Sequence, residues 1–148
     1  MSNCKVAIIG DMHTAQGRTR LEQAENMLLK NPHSIELITL RKEMTPYFKN
    51  TVQEHDWVSE YLEYCRNGIQ RVDRLVLLAD EPSVSLGWII GYAWAWGKPI
   101  ILIVPKPLKL GLFAVDSITA TLKSIDDLKK YDFKEMPYIY EGAEVSAL

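Results

Sequence analysis

The stretch GDMHTAQGRTR, residues 10–20, gathers groups suited to holding a phosphate. Gly10 and Gly17 permit close backbone approach, a helix N-terminus there would aim amides outward, and Arg18 and Arg20 add positive charge. His13 offers a ring that can stack on a base. Neither a GxGxxG dinucleotide fingerprint nor a Walker lysine motif is present. Catalytic groups are harder to find. The chain has three histidines, His13, His33 and His55, and no serine or cysteine in a recognisable nucleophile motif, which argues against a triad. By loop position the nearest carboxylates are Asp80, Glu81 and Asp11, and the pair before Pro82 also suits a solvated turn. Next comes VSLGWIIGYAWAWGKPI, Val84 to Ile100, which contains no carboxylate. Gly87 and Gly91 stand four apart in it, each costing a helix about 1 kcal/mol relative to alanine, so the pair points to tight packing or to ligand approach. Trp88, Tyr92, Trp94 and Trp96 crowd the same segment, a density typical of a core or a subunit interface.

These groups need elements to position them. KVAIIG, residues 5–10, reads as a buried strand opening into a loop, and 17–30 as an amphipathic helix carrying Leu21, Ala24, Leu28 and Leu29. SIELITL alternates as a strand. After a loop carrying Pro46, residues 52–69 set Trp57, Tyr61, Leu62 and Cys65 on one helical face. VDRLVLLAD predicts a third strand, VSLGWIIGYAWAWG a third helix, and KPIILIVP a fourth strand. A short helix near 110–117, ATL as a fifth edge strand and SIDDLKKYDF as a last capped helix complete the chain. Such alternation predicts one α/β domain over residues 1–148, a three-layer sandwich with a five-stranded parallel or mostly parallel sheet. Ligands of such sheets sit beyond the carboxyl ends of the strands, so the pocket is expected from the loops that follow them.

Composition narrows the partner. A net charge of −2 argues against a nucleic-acid backbone, and no apolar run reaches the length of a membrane span. The start lacks a signal-peptide pattern, which suggests a cytoplasmic setting. Cys4 and Cys65 form neither a disulfide framework nor a zinc spacing. A small-molecule ligand is the expected partner.

The chain resembles the nucleoside deoxyribosyltransferase family nearly end to end. The resemblance is carried by RLEQAENMLLKNP, by EH and RNGI around the second helix, by VSLGWIIGYAWAWGKPIILIVP, and by the tail LKKYDFKEMPYIYEGA. It implies a flavodoxin-like sheet, no metal or organic cofactor, homo-oligomers with pockets near subunit interfaces, and exchange or hydrolysis of an N-glycosidic bond. That chemistry uses a glutamate attacking the anomeric carbon, with further carboxylates holding the sugar and protonating the base. Here the resemblance places Ile89 at the nucleophile position, Ser83 and Cys65 at two expected aspartates, and Ile118 at an asparagine donated by a neighbouring subunit. Ser146, Ala147 and Leu148 run past the expected end near Val145, where the family's terminal carboxylate reaches a pocket. An isoleucine cannot act as acid, base or nucleophile, so the inherited mechanism is expected to be absent.

The expected function is therefore non-catalytic binding of a nucleoside or nucleotide, with Gly10, Asp11, His13, Arg18, Arg20, Tyr47, Ser83, Gly87, Trp88 and Ile89 as ligand contacts. Sequestration of a cyclic or ADP-ribose-type messenger is its natural use. Two alternatives stand beside it: an N-glycosidase or transferase using another carboxylate, and a structural subunit that binds protein through its tryptophan-rich helix.

Overall fold

The structure, a computed structural model, describes residues 3–12, 14–43, 55–79, 84–137 and 145–147. Five strands form one sheet: β1 (Cys4–Ile9), β2 (Ile35–Ile38), β3 (Arg74–Leu78), β4 (Ile100–Ile103) and β6 (Ala120–Leu122). Their order is β2-β1-β3-β4-β6, and every pairing is parallel. Because both faces of a parallel sheet are covered, its central strands should be apolar throughout. They are: Val6, Ile8, Val76, Leu78, Ile101 and Ile103 enter one core, while Ala7, Ile9, Leu75, Leu77, Ile100 and Leu102 enter the other.

Helix α1 (Ala15–Leu29) covers the first core with Leu21, Ala24 and Leu28, whose spacing of three and four keeps them on one face. Thr14 caps it, its hydroxyl accepting from the Gly17 amide at 3.0 Å. Tyr131 and Phe133 close this layer edge to face, with ring centroids 5.0 Å apart. The opposite layer holds α2 (His55–Arg71), α3 (Val84–Ala95) and the short α4 (Leu112–Ser117). Asp126 and Asp127 lie in the first turn of a 3₁₀ helix (Ile125–Lys129), and the Asp127 carboxylate accepts from the Ser124 amide in a capping box. Sequence reading expected a helix over this segment.

Two further features depart from expectation. Residues 40–43 are helical, where the sequence suggests the end of a strand at Leu40 and a loop from Arg41, and they carry Arg41, whose Nε meets both carboxylate oxygens of buried Glu25 at 2.9 and 3.1 Å. A second, two-stranded sheet pairs β5 (Leu108–Leu110) with β7 (Val145–Ala147) in parallel. Three residues are too few to show a period, so the sequence alone suggests a loop where β5 lies. In it Leu108 and Leu110 point inward and Lys109 outward. The tail past Val145 is thus spent on a ladder, with Ser146 opposite Lys109 and Ala147 opposite Leu110. Among the described residues no helix is long and apolar enough to cross a membrane.

Candidate functional site

Strand β1 is followed in space by β2 on one side and β3 on the other, so the sheet's switch point lies between β1 and β3. Crevices form there because the connections leave in opposite directions. A cleft of about 720 Å³ opens at this place, floored by Ile9, Gly10, Leu77 and Leu78. One wall is the start of α1, with Asp11, Thr14, Gln16, Gly17 and Arg20. The other is the first two turns of α3, with Ser85, Leu86 and Ile89, joined by Pro105 and Lys106 after β4 and by Tyr61 from α2.

The α1 wall is tightly made. Thr14 Oγ1 donates to Asp11 Oδ2 at 2.6 Å, and a Cβ on Gly17 would overlap the Asp11 carbonyl and carboxylate. Glycine is required here so that the Asp11 loop can lie against the helix. The Gly17 amide is therefore met by the protein's own Thr14 hydroxyl, which Asp11 in turn holds in place. Arg18 turns the same way, its Nη1 donating to the Met12 carbonyl at 2.8 Å. Of the two arginines, Arg20 is the one that lines the cleft, and Lys106 lines it as well.

Beneath the floor is a hollow of about 10 Å³, lined among others by Tyr61, Cys65, Leu40 and Arg41. The Tyr61 hydroxyl donates to the Cys65 sulfur. Burial pushes the Cys65 thiol up to about 11, with the tyrosine's hydrogen bond opposing it. Burial raises Tyr61 further above its ordinary range, helped by Cys65 and by the negative charge of Asp11. Both groups are neutral near pH 7, so this corner supplies neither a thiolate nor a base.

No family model matches the chain. The nucleoside deoxyribosyltransferase of Lactobacillus leichmannii is 31% identical over 99 residues, which take in 60% of this chain and 61% of that enzyme. The chain thus spans about three fifths of the length of this curated relative. The 2-deoxyribosyltransferase of Bacillus psychrosaccharolyticus superposes with a TM-score of 0.68 at 19% identity, covering 90% of this chain and 96% of that one. A conserved protein from Enterococcus faecalis V583 superposes at 0.64 with 16% identity over 86% and 96% of the two chains. The chain is thus similar in sequence to a nucleoside deoxyribosyltransferase over three fifths of its length, and it shares the fold of a 2-deoxyribosyltransferase.

Among the positions that the deoxyribosyltransferase resemblance singles out, Ile89 stands in the cleft wall, half-buried, with its inner side against the core of the α3 layer. Cys65 lies below the floor, buried and protonated. Ile118 ends α4 and packs on its own chain's core. Of the sequence-expected ligand contacts, Gly10, Asp11, Arg20 and Ile89 come together in the cleft. Arg18, Gly87 and Trp88 are not among its lining residues, and Trp88 instead stacks on Tyr92 at 5.2 Å. His13, Tyr47, Asp80, Glu81 and Ser83 lie outside the described residues. Sequence reading missed Thr14, Gln16, Tyr61, Ser85 and Lys106 as wall residues. Lys106 had a signal in its loop after the fourth strand; Tyr61, read as helix core, had none.

Proposed function

We propose that this protein binds a nucleoside or nucleotide in the cleft and does not cleave it. The observation that carries this reading is Ile89: an alkyl side chain stands in the cleft wall at the position that the family resemblance assigns to the attacking glutamate. Loss of a nucleophile removes most of the transition-state stabilisation a covalent mechanism depends on, while the walls that grip the ligand remain. The protonated thiol of Cys65 at a second carboxylate position supports the same reading. Its use is sequestration of a nucleotide signal in the cytoplasm, such as a cyclic or ADP-ribose-type messenger, held unchanged and released intact.

The test follows thermal stabilisation and base release together on incubation with deoxynucleosides, nucleotides and cyclic or ADP-ribose-type messengers. A raised melting temperature with the ligand recovered intact supports the binder; free base appearing in proportion to protein refutes it.

A second reading, cleavage through a different carboxylate, is favoured by Asp11, whose side chain lines the cleft and is oriented by Thr14. Under that reading Asp11→Asn abolishes base release, as would substitution of Asp80 or Glu81 if either were the acting group.

A further inference from the structure

Lys106 reaches the cleft from a loop with little freedom of its own. It stands between Pro105 and Pro107, whose rings fix the backbone on either side of it. Where the lysine sits is therefore decided by what holds the two ends of the loop. One end is tied to the main sheet, because the Val104 amide donates to the carbonyl of Leu122 in β6 at 2.8 Å. The other end is β5, which begins two residues after Lys106 and belongs to no part of the five-stranded sheet. Leu108 and Leu110 are buried in the α3 layer, but among the described residues the one strand beside β5 is β7. That pairing is parallel, three residues long and flanked by no further strand, a marginal arrangement for a ladder. Strand β7 also comes from far off. Pro137 is still held in the α1 layer, its carbonyl accepting from the Tyr131 hydroxyl at 3.0 Å, whereas Val145–Ala147 lie beside β5 and against α4.

We propose that β7 is a strap that positions Lys106, so that pairing of the tail with β5 sets the cleft's grip on the anionic part of its ligand. The grip rests on the reading of the cleft as a nucleotide site; the hold of the tail on the loop does not. A solvated lysine contributes to an ion pair only as far as its backbone is already held near the anion, since ordering on binding opposes the contact. With β7 paired, the loop is ordered before the ligand arrives. With β7 released, the ligand must order it. By linkage the effect runs both ways, and a nucleotide held by Lys106 stabilises the β5–β7 ladder in turn. A short ladder suits this coupling because it can open without unfolding the domain. The contact is made by the backbone of Val145–Ala147, so it differs from the terminal-carboxylate contact that the family resemblance implies.

The test compares the wild type with a chain lacking residues 145–148 and with two full-length variants. In a parallel ladder alternate residues donate, so one of Ser146→Pro and Ala147→Pro takes a donor from it. Hydrogen exchange, which needs no ligand, should show amides of Leu108 to Leu110 exchanging roughly tenfold faster without β7, while those of β3 and β4 keep their protection. Calorimetric titration then uses adenosine 5′-diphosphate and adenosine. The diphosphate should bind the shortened chain roughly fivefold more weakly, adenosine should bind both chains alike, and adding Lys106→Met to the shortened chain should cost no further affinity. Unchanged exchange in the shortened chain and in both proline variants overturns the strap, whatever the cleft binds. Faster exchange with diphosphate affinity unchanged, or with diphosphate and adenosine weakened equally, overturns the control of Lys106. A wild type that binds no nucleotide removes the reading of the cleft and the grip with it, while exchange still decides whether the tail holds the loop.

Discussion

Thr14 Oγ1 donates to Asp11 Oδ2 at 2.6 Å while accepting from the Gly17 amide at 3.0 Å, so one hydroxyl ties the loop after β1 to the helix that follows. The chain turns sharply enough there that only glycine fits at position 17. In an ordinary helix interior, glycine to alanine gains about 1 kcal/mol. At Gly17 the sign should invert, because the new methyl group overlaps the Asp11 backbone, and overpacking of this kind costs about 1–3 kcal/mol. Thr14→Ala should lose about 1 kcal/mol as a missing cap. Urea unfolding of the two variants checks both, and a stabilised Gly17→Ala would contradict the geometry.

The Tyr61–Cys65 contact predicts the alkaline limb of stability. Burial raises Cys65 to about 11 from an ordinary 9.0, so the folded state holds this proton more tightly than the unfolded chain does. A group raised in this way leaves stability intact below the unfolded value and erodes it as pH climbs through the folded one. For Cys65 the window is pH 9 to 11, and the loss approaches about 2–3 kcal/mol by linkage. Tyr131, raised by burial to about 12, extends the fall above pH 10. Cys65→Val should flatten the first part of the decline in denaturant titrations taken pH by pH, and leave the second.

Much of this architecture was legible in the chain. KVAIIG, RLVLL and IILI are β-branched and leucine-rich without alternation, the mark of strands buried on both faces, and each lies in the parallel sheet. The cleft's location followed from that topology. Which loop side chains face it did not, because Arg18 and Arg20 differ only in direction. Arg18 is drawn to the Met12 carbonyl by a turn whose geometry depends on Gly17, a contact no periodicity encodes. The β5–β7 pair was hidden for a related reason: its two strands are 34 residues apart in sequence and three residues long. Gly87 and Gly91 were readable as special, yet sequence could not separate a ligand from a packed helix as the cause. Among the described residues, nothing lies within 4 Å of a Cβ at either position, so close helix packing on the chain's own described elements is not what the pair serves.

Glu25 and Arg41 make a two-oxygen ion pair with side-chain exposures of 7% and 19%, and Arg41 also walls the hollow beneath the cleft. Removing one partner of such a pair strands a charge with little water to receive it. Glu25→Ala should therefore destabilise by about 2–4 kcal/mol, towards the range for broken buried pairs. Glu25→Leu combined with Arg41→Met should cost less than either single change, since no charge is left behind. A double-mutant cycle by chemical unfolding measures the coupling, and additive losses would show that the pair contributes nothing of its own.

Among the described residues, Arg20 and Lys106 are the cations lining the cleft, one from each wall, and their surroundings differ in a way that fixes their expected effects. Arg20 is half-buried in the α1 wall, where a hydrogen bond to a phosphate is little screened; charge-assisted bonds of this kind contribute about 1.5–3 kcal/mol, or roughly 10–100-fold in affinity. Lys106 is exposed, and a solvated pair contributes about 1 kcal/mol at most, roughly fivefold. For a nucleotide, Arg20→Met should thus weaken binding far more than Lys106→Met, and only the latter's effect should vanish in high salt. For the corresponding neutral nucleoside both substitutions should leave affinity nearly unchanged. Calorimetric titration of the two variants with a nucleotide and its parent nucleoside separates these outcomes. Equal losses for both ligands would mean that the arginine shapes the wall rather than reading charge.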